Sequence, residues 1–206
     1  MRRRRLVSCL AAALLSTRVE ACSFVVANFD VAKRDVPFEQ ANWYNQKRGP
    51  DATNFHKAHG WWFVHNLLSM TGAITKQPFV SADGAIVATF NGEIYNYRSL
   101  AAQLAGSEEA FASDGYALLP AYAKWGPKFV QHFEGEFALV LADFSRGIVI
   151  MSTDVFSTCV STAALWDPHS HSCLRLTRRA RSNLDRLTQQ AALVRSLGRM
   201  HHAHLV

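Results

Sequence analysis

The apolar run Ala85-Ile86-Val87-Ala88-Thr89-Phe90 is followed at once by Asn91-Gly92, and a few residues later by Leu100-Ala101-Ala102-Gln103-Leu104-Ala105. The first run has the length and character of a buried strand. The last carries apolar residues at helical spacing, so Asn91-Gly92 is expected where a strand gives way to a helix. That succession constrains the fold to mixed α and β structure. It is also a useful place for chemistry. A glycine there lets the backbone turn and leaves its N–H open to a ligand, and Asn91 carries a side-chain amide donor, so the pair can hold a developing oxyanion. The dipeptide alone also reads as an Asn-Gly turn.

The rest of the chain is punctuated in the same manner. Ser23 to Phe29 reads as a buried strand, and Phe38 to Lys47 as a weak helix that Arg48-Gly49-Pro50-Asp51 must end, because Gly-Pro does not continue one. Trp61 to Met70 reads as a strand, and Gln77-Pro78-Phe79 and Ala82-Asp83-Gly84 as loop and turn. After a helix from Tyr97, Ser113-Asp114 is a natural N-cap for a second helix, whose Leu118, Leu119, Tyr122 and Trp125 recur at helical spacing. Gly126-Pro127 breaks it, Phe129 to Phe133 makes a short turn, and Glu136 to Asp143 with Gly147 to Thr153 form a hairpin around Phe144-Ser145-Arg146. These elements predict an α+β fold with antiparallel strands.

At 206 residues the chain has the length of one domain with a real core. Its net charge of +6 sits at the two ends, with five arginines against one Glu in residues 1–21 and seven against two Asp in residues 161–206. The middle is mildly acidic, which argues against nucleic-acid binding. The four cysteines, Cys9, Cys22, Cys159 and Cys173, show no C-x-x-C spacing, so neither a zinc site nor a disulfide framework is indicated. No metal and no cofactor are expected; the histidines near the end, including His201-His202-Ala203-His204, read as solvent-facing.

Residues 1–21 read as a signal or targeting segment: Arg2-Arg3-Arg4-Arg5, an apolar Leu6 to Leu15 too short to span a membrane, then Val19-Glu20-Ala21 at a cleavage boundary. Secretory and organellar addresses both fit, as does a translated leader from a mis-assigned start. Cleavage after Ala21 makes Cys22 the new N-terminus. An α-amine with a reference pKa of about 7.7 to 8.0 acts as a base near neutrality, and a thiol beside it is readily made nucleophilic. A small core residue is the other reading of Cys22.

Asn-Gly-Glu-Ile-Tyr-Asn at 91–96, with Arg48-Gly49-Pro50-Asp51, His65 with Leu68-Ser69-Met70, Gln77-Pro78, Ser113-Asp114 and Gly135-Glu136-Phe137-Ala138, occurs in an order and spacing that resembles the glutamine amidotransferase domain of asparagine synthetases, a class II N-terminal-nucleophile hydrolase. The resemblance covers residues 22–160 and implies a four-layer αββα sandwich of antiparallel sheets. It implies that Cys22 attacks the side-chain amide of glutamine while its α-amine takes the thiol proton and returns it to the leaving ammonia. Asn91 and Gly92 would hold the oxyanion, Asp114 the substrate α-ammonium, and Glu93 would orient the amide. Arg48, Leu68 and Met70 would border the substrate pocket.

Two departures qualify the match. Where the family pattern His-x-Arg-Leu-Ser-Ile places the carboxylate-gripping Arg, this chain has Leu67. Either Arg48 or another cation compensates, or glutamine binds poorly, or the amide substrate differs. Asp154-Val155-Phe156-Ser157-Thr158 then begins the family's closing pattern, yet Cys159-Val160 opens an unrelated tail. Residues 161–206 are therefore expected to be disordered or non-native, from a frameshift or retained intron. They carry at best a helical pattern between Asn183 and Leu197, and the sandwich is expected to be truncated, with an exposed edge. The reading is a glutamine-hydrolysing domain whose partners are glutamine or a related amide and an ammonia-accepting synthetase, with no membrane span. A non-catalytic binding or regulatory module on the same scaffold is the alternative.

Overall fold

The computed structural model describes residues 22–27, 38–69 and 74–156, together with the backbone of four later strands, 162–167, 172–177, 191–195 and 204–205. Residues 1–21, read above as a signal or targeting segment and containing Cys9, lie outside the described residues, as do Met70 and Cys159. The architecture is mixed α and β, and every strand pair is antiparallel. The chain divides into two compact units, Met1–Leu68 with Val160–Arg179, and Ser69–Cys159 with Ala180–Val206.

The first unit holds β1 (Ser23–Ala27), α1 (Phe38–Gln46), β2 (Ala52–Ala58) and β3 (Trp61–Leu67), with β3 central in the order β1-β3-β2. The apolar run of β3 is explained by that position: Trp61, Phe63, Val64 and Leu67 are all buried. β2 carries no strand signal in the sequence, since Phe55 and Lys57 face solvent and no apolar alternation results. It forms because His59-Gly60, at φ 50° and 80°, closes a two-residue hairpin between the paired Ala58 and Trp61. Two left-handed residues give such a turn the twist of the strands it joins.

The Arg-Gly-Pro-Asp turn ends α1 as expected, with the Arg48 N–H donating to Asn45 O at 3.0 Å. It is also stitched to the end of β3, where the Asp51 N–H donates to Leu67 O at 3.0 Å. Gly49 is required there because a Cβ would run into the backbone carbonyl of Asn66. β8 (Thr162–Asp167) and β9 (Ser172–Thr177) pair as a separate two-stranded sheet, and residues 168–171 between them lie outside the described residues.

The second unit is built on a sheet of order β11-β10-β7-β6-β5-β4, in which β4 is Phe79–Val80, β5 Ile86–Ile94, β6 Gly135–Asp143 and β7 Ile148–Thr153. Its helices are α2 (Tyr97–Ala105) and α3 (Leu118–Trp125), with 3-10 turns over Asp114–Ala117 and Gly126–His132. Phe90 and Ile94 of β5, Phe137, Leu139 and Leu141 of β6, and Ile148 and Ile150 of β7 form one core with Leu100, Leu118, Tyr122, Phe129 and Phe133. Burial of each such side chain stabilises the fold by roughly 1.5–3 kcal/mol. The Tyr122 hydroxyl, inside this core, donates to Asp143 Oδ2 at 2.8 Å; burial first, and the carboxylate second, pushes its pKa up to about 12.

Three sequence expectations are corrected here. Asn91-Gly92 is not the strand end, since β5 runs on to Ile94, and Asn91 pairs with Ala138, Gly92 with Phe137 and Ile94 with Gly135. The long β6 supplies the partners that hold the chain extended. Ser113 has the extended backbone of a cap but makes no side-chain cap bond, and its hydroxyl is directed to Asp114 Oδ1 at 3.4 Å. Finally, residues 191–195, within the expected helical pattern, are a strand: β10 (Ala191–Arg195) pairs with β7 from Ala191↔Ser152 to Arg195↔Ile148, and β11 (His204–Leu205) pairs with β10. The unpaired N–H and C=O groups along the β7 edge are a template for such pairing.

Candidate active site

The predicted site residues fall in both units, Cys22, Arg48 and Leu68 in the first and Asn91, Gly92, Glu93 and Asp114 in the second. Cys22 precedes β1 and is half-buried and not in a disulfide. Its thiol lies against Leu68: the Leu68 N–H donates to Sγ at 3.2 Å, and the thiol donates to Leu68 O at 3.4 Å. The part of Leu68 that meets the cysteine is therefore its backbone. Leu67, at the departure from the family pattern, is buried. The half-buried Arg48 has an Nε shut off from solvent without a hydrogen-bond partner, on the turn attached to this same end of β3. A buried donor left unpaired is rare enough to need an explanation.

In the second unit the geometry comes from the strand register. Phe137 spends its C=O on the Asp154 N–H at 2.8 Å and its N–H on Asp154 Oδ2 at 3.1 Å, so its backbone groups face away from β5. In an antiparallel ladder the residue opposite then also turns its groups outward. Gly92 is that residue, and Phe90 and Ile94 share its parity. The Phe90 N–H donates to Gln77 Oε1 at 2.8 Å, and the Ile94 N–H to Asp114 Oδ2 at 2.9 Å. Between these two capped positions the Gly92 N–H has no such side-chain cap. Its φ of 128° and its closeness to the Glu136 carbonyl, which a Cβ would strike, both demand glycine.

Asn91 is buried at 7% exposure, and its Oδ1 has no hydrogen-bond partner. A half-turn of the amide exchanges its oxygen for the NH₂ group, so this position presents either an acceptor or a donor. Asp114 is partly buried, with Oδ1 accepting from the Gly115 N–H at 2.8 Å. Burial pushes its carboxyl above the ordinary Asp value, against the pull of the Ile94 and Gly115 N–H groups, and the charge of Glu93 adds to the rise. Glu93 stands directly across from Glu136 in the ladder.

Several residues that hold these groups were quoted in the sequence without a role. Gln77, buried, also accepts from Thr89 Oγ1 at 3.1 Å and so fixes β5 from its edge. Asn96 closes the Asn-Gly-Glu-Ile-Tyr-Asn motif by donating to His132 O at 2.9 Å and accepting the Glu134 N–H at 3.1 Å. No sequence signal marks Asn42 and Asn66, 24 positions apart, as partners. Among the described residues no group of three or more His, Cys, Asp or Glu could hold a metal ion, and no helix is long and apolar enough to cross a membrane.

A family model described as a glutamine amidotransferase domain matches residues 22–158. Asparagine synthetase [glutamine-hydrolyzing] 2 of Oryza sativa subsp. japonica is 32% identical over 135 residues, covering 65% of this chain and 23% of that protein. Asparagine synthetase [glutamine-hydrolyzing] 2 of Bacillus subtilis (strain 168) is 34% identical over 110 residues, covering 53% of this chain and 15% of its own length. Amidase chry2 of Gibberella zeae is 37% identical over 112 residues, covering 52% and 17%. The matches thus span between 15% and 23% of the length of these relatives.

Proposed function

The chain belongs to the glutamine amidotransferase domain family, and from that premise we propose that it hydrolyses glutamine to glutamate and ammonia with Cys22 as an N-terminal nucleophile. The observation that carries this reading is that the matched region opens on Cys22, a residue that cleavage after Ala21 makes the chain start. The α-amine of Cys22 takes the thiol proton as Sγ attacks the amide carbon, and the oxyanion forms against the Asn91 side-chain amide and the Gly92 N–H. Collapse of the tetrahedral species breaks the C–N bond, and the α-amine returns the proton to the departing ammonia. Water then attacks the thioester carbonyl, releasing glutamate and restoring the thiol. Removing one oxyanion donor typically costs about 10²–10³-fold in rate.

In this reading Asp114 pairs with the substrate α-ammonium and Glu93 orients the amide. Arg48, whose Nε is buried without a partner, supplies the cation for the substrate carboxylate that Leu67 does not offer, while Leu68 and Met70 line the pocket. Residues 1–21 are a removed secretory or organellar targeting segment, and 22–160 form the four-layer αββα sandwich of the superfamily. The ammonia passes to an acceptor synthetase, as the names of the relatives suggest. The family match favours this reading over a non-catalytic module on the same scaffold. Mass spectrometry of the mature N-terminus, with glutaminase assays of wild type and Cys22→Ala, tests it. A chain starting at Cys22 and an inactive variant are expected; a mature protein that keeps residues 1–21 and still hydrolyses glutamine would overturn it.

A further inference from the structure

We infer that Ser23 and Asn66 form a clamp that positions the Cys22 nucleophile, an inference that rests on the reading of Cys22 given above. Asn66, fully buried in β3, is the hub of a polar network confined to the first unit. Its Nδ2 donates to Ser23 Oγ at 3.2 Å and to Asn42 Oδ1 at 2.9 Å. Its Oδ1 accepts from Thr53 Oγ1 at 2.9 Å and from Asn42 Nδ2 at 3.3 Å. Both N–H groups and both lone pairs of one amide are thereby used, so it has no second orientation of equal energy. Ser23 Oγ in turn donates to Asn45 O at 2.8 Å. One amide and one hydroxyl thus tie β1, β2, β3 and α1 together, at the residue next to Cys22.

A chain end needs such a device. Once Cys22 is the first residue, nothing anchors it from the N-terminal side, and terminal residues fray unless tied down. The contacts of Sγ with the Leu68 backbone do not serve throughout the reaction, because the sulfur must leave them to attack. The Ser23 hydroxyl makes no contact that the reaction breaks, so it holds the backbone of the first residues while the thiol and the α-amine work. A misplacement of about 1 Å at a reacting group costs on the order of 10²-fold in rate. Ser23 and Asn66 are therefore positioning residues, acting through the backbone of residue 22.

The test uses the processed full chain with Ser23→Ala, Ser23→Thr and Asn66→Leu. Measured for each are kcat and KM for glutamine, the pH profile of Cys22 alkylation by iodoacetamide, and the melting temperature. Ser23→Ala is expected to lower kcat by about ten- to a hundredfold, with KM changed by less than about threefold, and to alter the alkylation profile. Ser23→Thr, which keeps the hydroxyl, restores both, and Asn66→Leu, if it folds, behaves as Ser23→Ala. A folded Ser23→Ala with wild-type kcat and alkylation profile overturns the clamp, as does a kcat loss that merely follows the melting temperature. Retention of glutaminase activity by Cys22→Ala is a different outcome: it removes the nucleophile itself, and the inference falls with that reading.

Discussion

The two units organise buried atoms in opposite ways. The centre of the first unit's sheet carries a polar network of Asn42, Asn66, Thr53 and Ser23, in which direction and pairing decide the arrangement. The second unit's sheet packs a nearly continuous apolar layer, Phe90, Phe137, Leu139, Leu141 and Ile150 against Leu118, Phe129 and Phe133. Apolar burial is strong and non-directional, so it supplies stability but tolerates small shifts. Hydrogen bonds contribute only about 0.5–1.5 kcal/mol net each, yet a group left unpaired is costly, so they select one geometry. The unit that carries Cys22 is thus organised for position, and the unit that carries β5 is organised for stability.

The largest test of this contrast is a pair of truncations. Phe137→Ala in the apolar core should destabilise by about 3–5 kcal/mol, whereas Asn42→Ala, which strips Asn66 of two hydrogen bonds but leaves those with Ser23 and Thr53, should cost about 1–3 kcal/mol. Urea unfolding of the two variants measures both, and an equal or larger loss for Asn42→Ala would break the comparison. Next is the departure at the end of β3. Leu67→Arg is expected to lower the KM for glutamine by about tenfold or more, since a hydrogen bond to a charged group contributes about 1.5–3 kcal/mol. Should it bind glutamine no better while Arg48→Ala destroys binding, Arg48 already holds the carboxylate.

Asp114 is a partly buried carboxylate of the second unit, and it sharpens the contrast through pH. Its carboxyl titrates above the ordinary value of 3.8 because burial disfavours the charge. The folded protein therefore holds this proton more tightly than the unfolded chain. The stability this contributes is full below 3.8 and is lost as pH rises through the raised value. The proposed binding of the substrate ammonium by Asp114 has the reverse sense: it needs the ionised form, so KM for glutamine should rise as pH falls through that value. Asp114→Asn should raise KM and flatten this acid limb in the steady-state profile.

The smallest effect is expected at the sheet edge. Deleting residues 161–206 should shift the melting temperature little, because peripheral segments contribute few buried contacts. Hydrogen exchange should nonetheless quicken at the β7 amides that face β10, with β5 and β6 unchanged. A large fall in melting temperature would instead make the tail an integral part of its unit.

Much of this architecture is legible in local pattern. The helices from Phe38, Tyr97 and Leu118, the apolar β3, and the β6–β7 hairpin all appear near where periodicity and Gly-Pro punctuation put them, because those signals act within a few residues. Ala52–Ala58 was invisible, since an exposed edge strand has no apolar alternation and its pairing with β3 supplies the order. Ala191–Arg195 went from a helical pattern to a strand for the same reason, an open β7 edge.

By itself the sequence determined the family and named the residue types proposed for the site, because the motif Asn91 to Asn96, the turn at Arg48 and the placement of Cys22 are properties of order and spacing. Only the tertiary structure decided which backbone groups are left for a ligand. Gly92 turns its N–H outward because Phe137, 45 positions away in the chain, is already bonded to Asp154. Ser23 is held because Asn66, at a sequence separation of 43, has one amide N–H to spare for it. Hydrogen-bond direction is set by neighbours in space, and no periodicity along the chain encodes it.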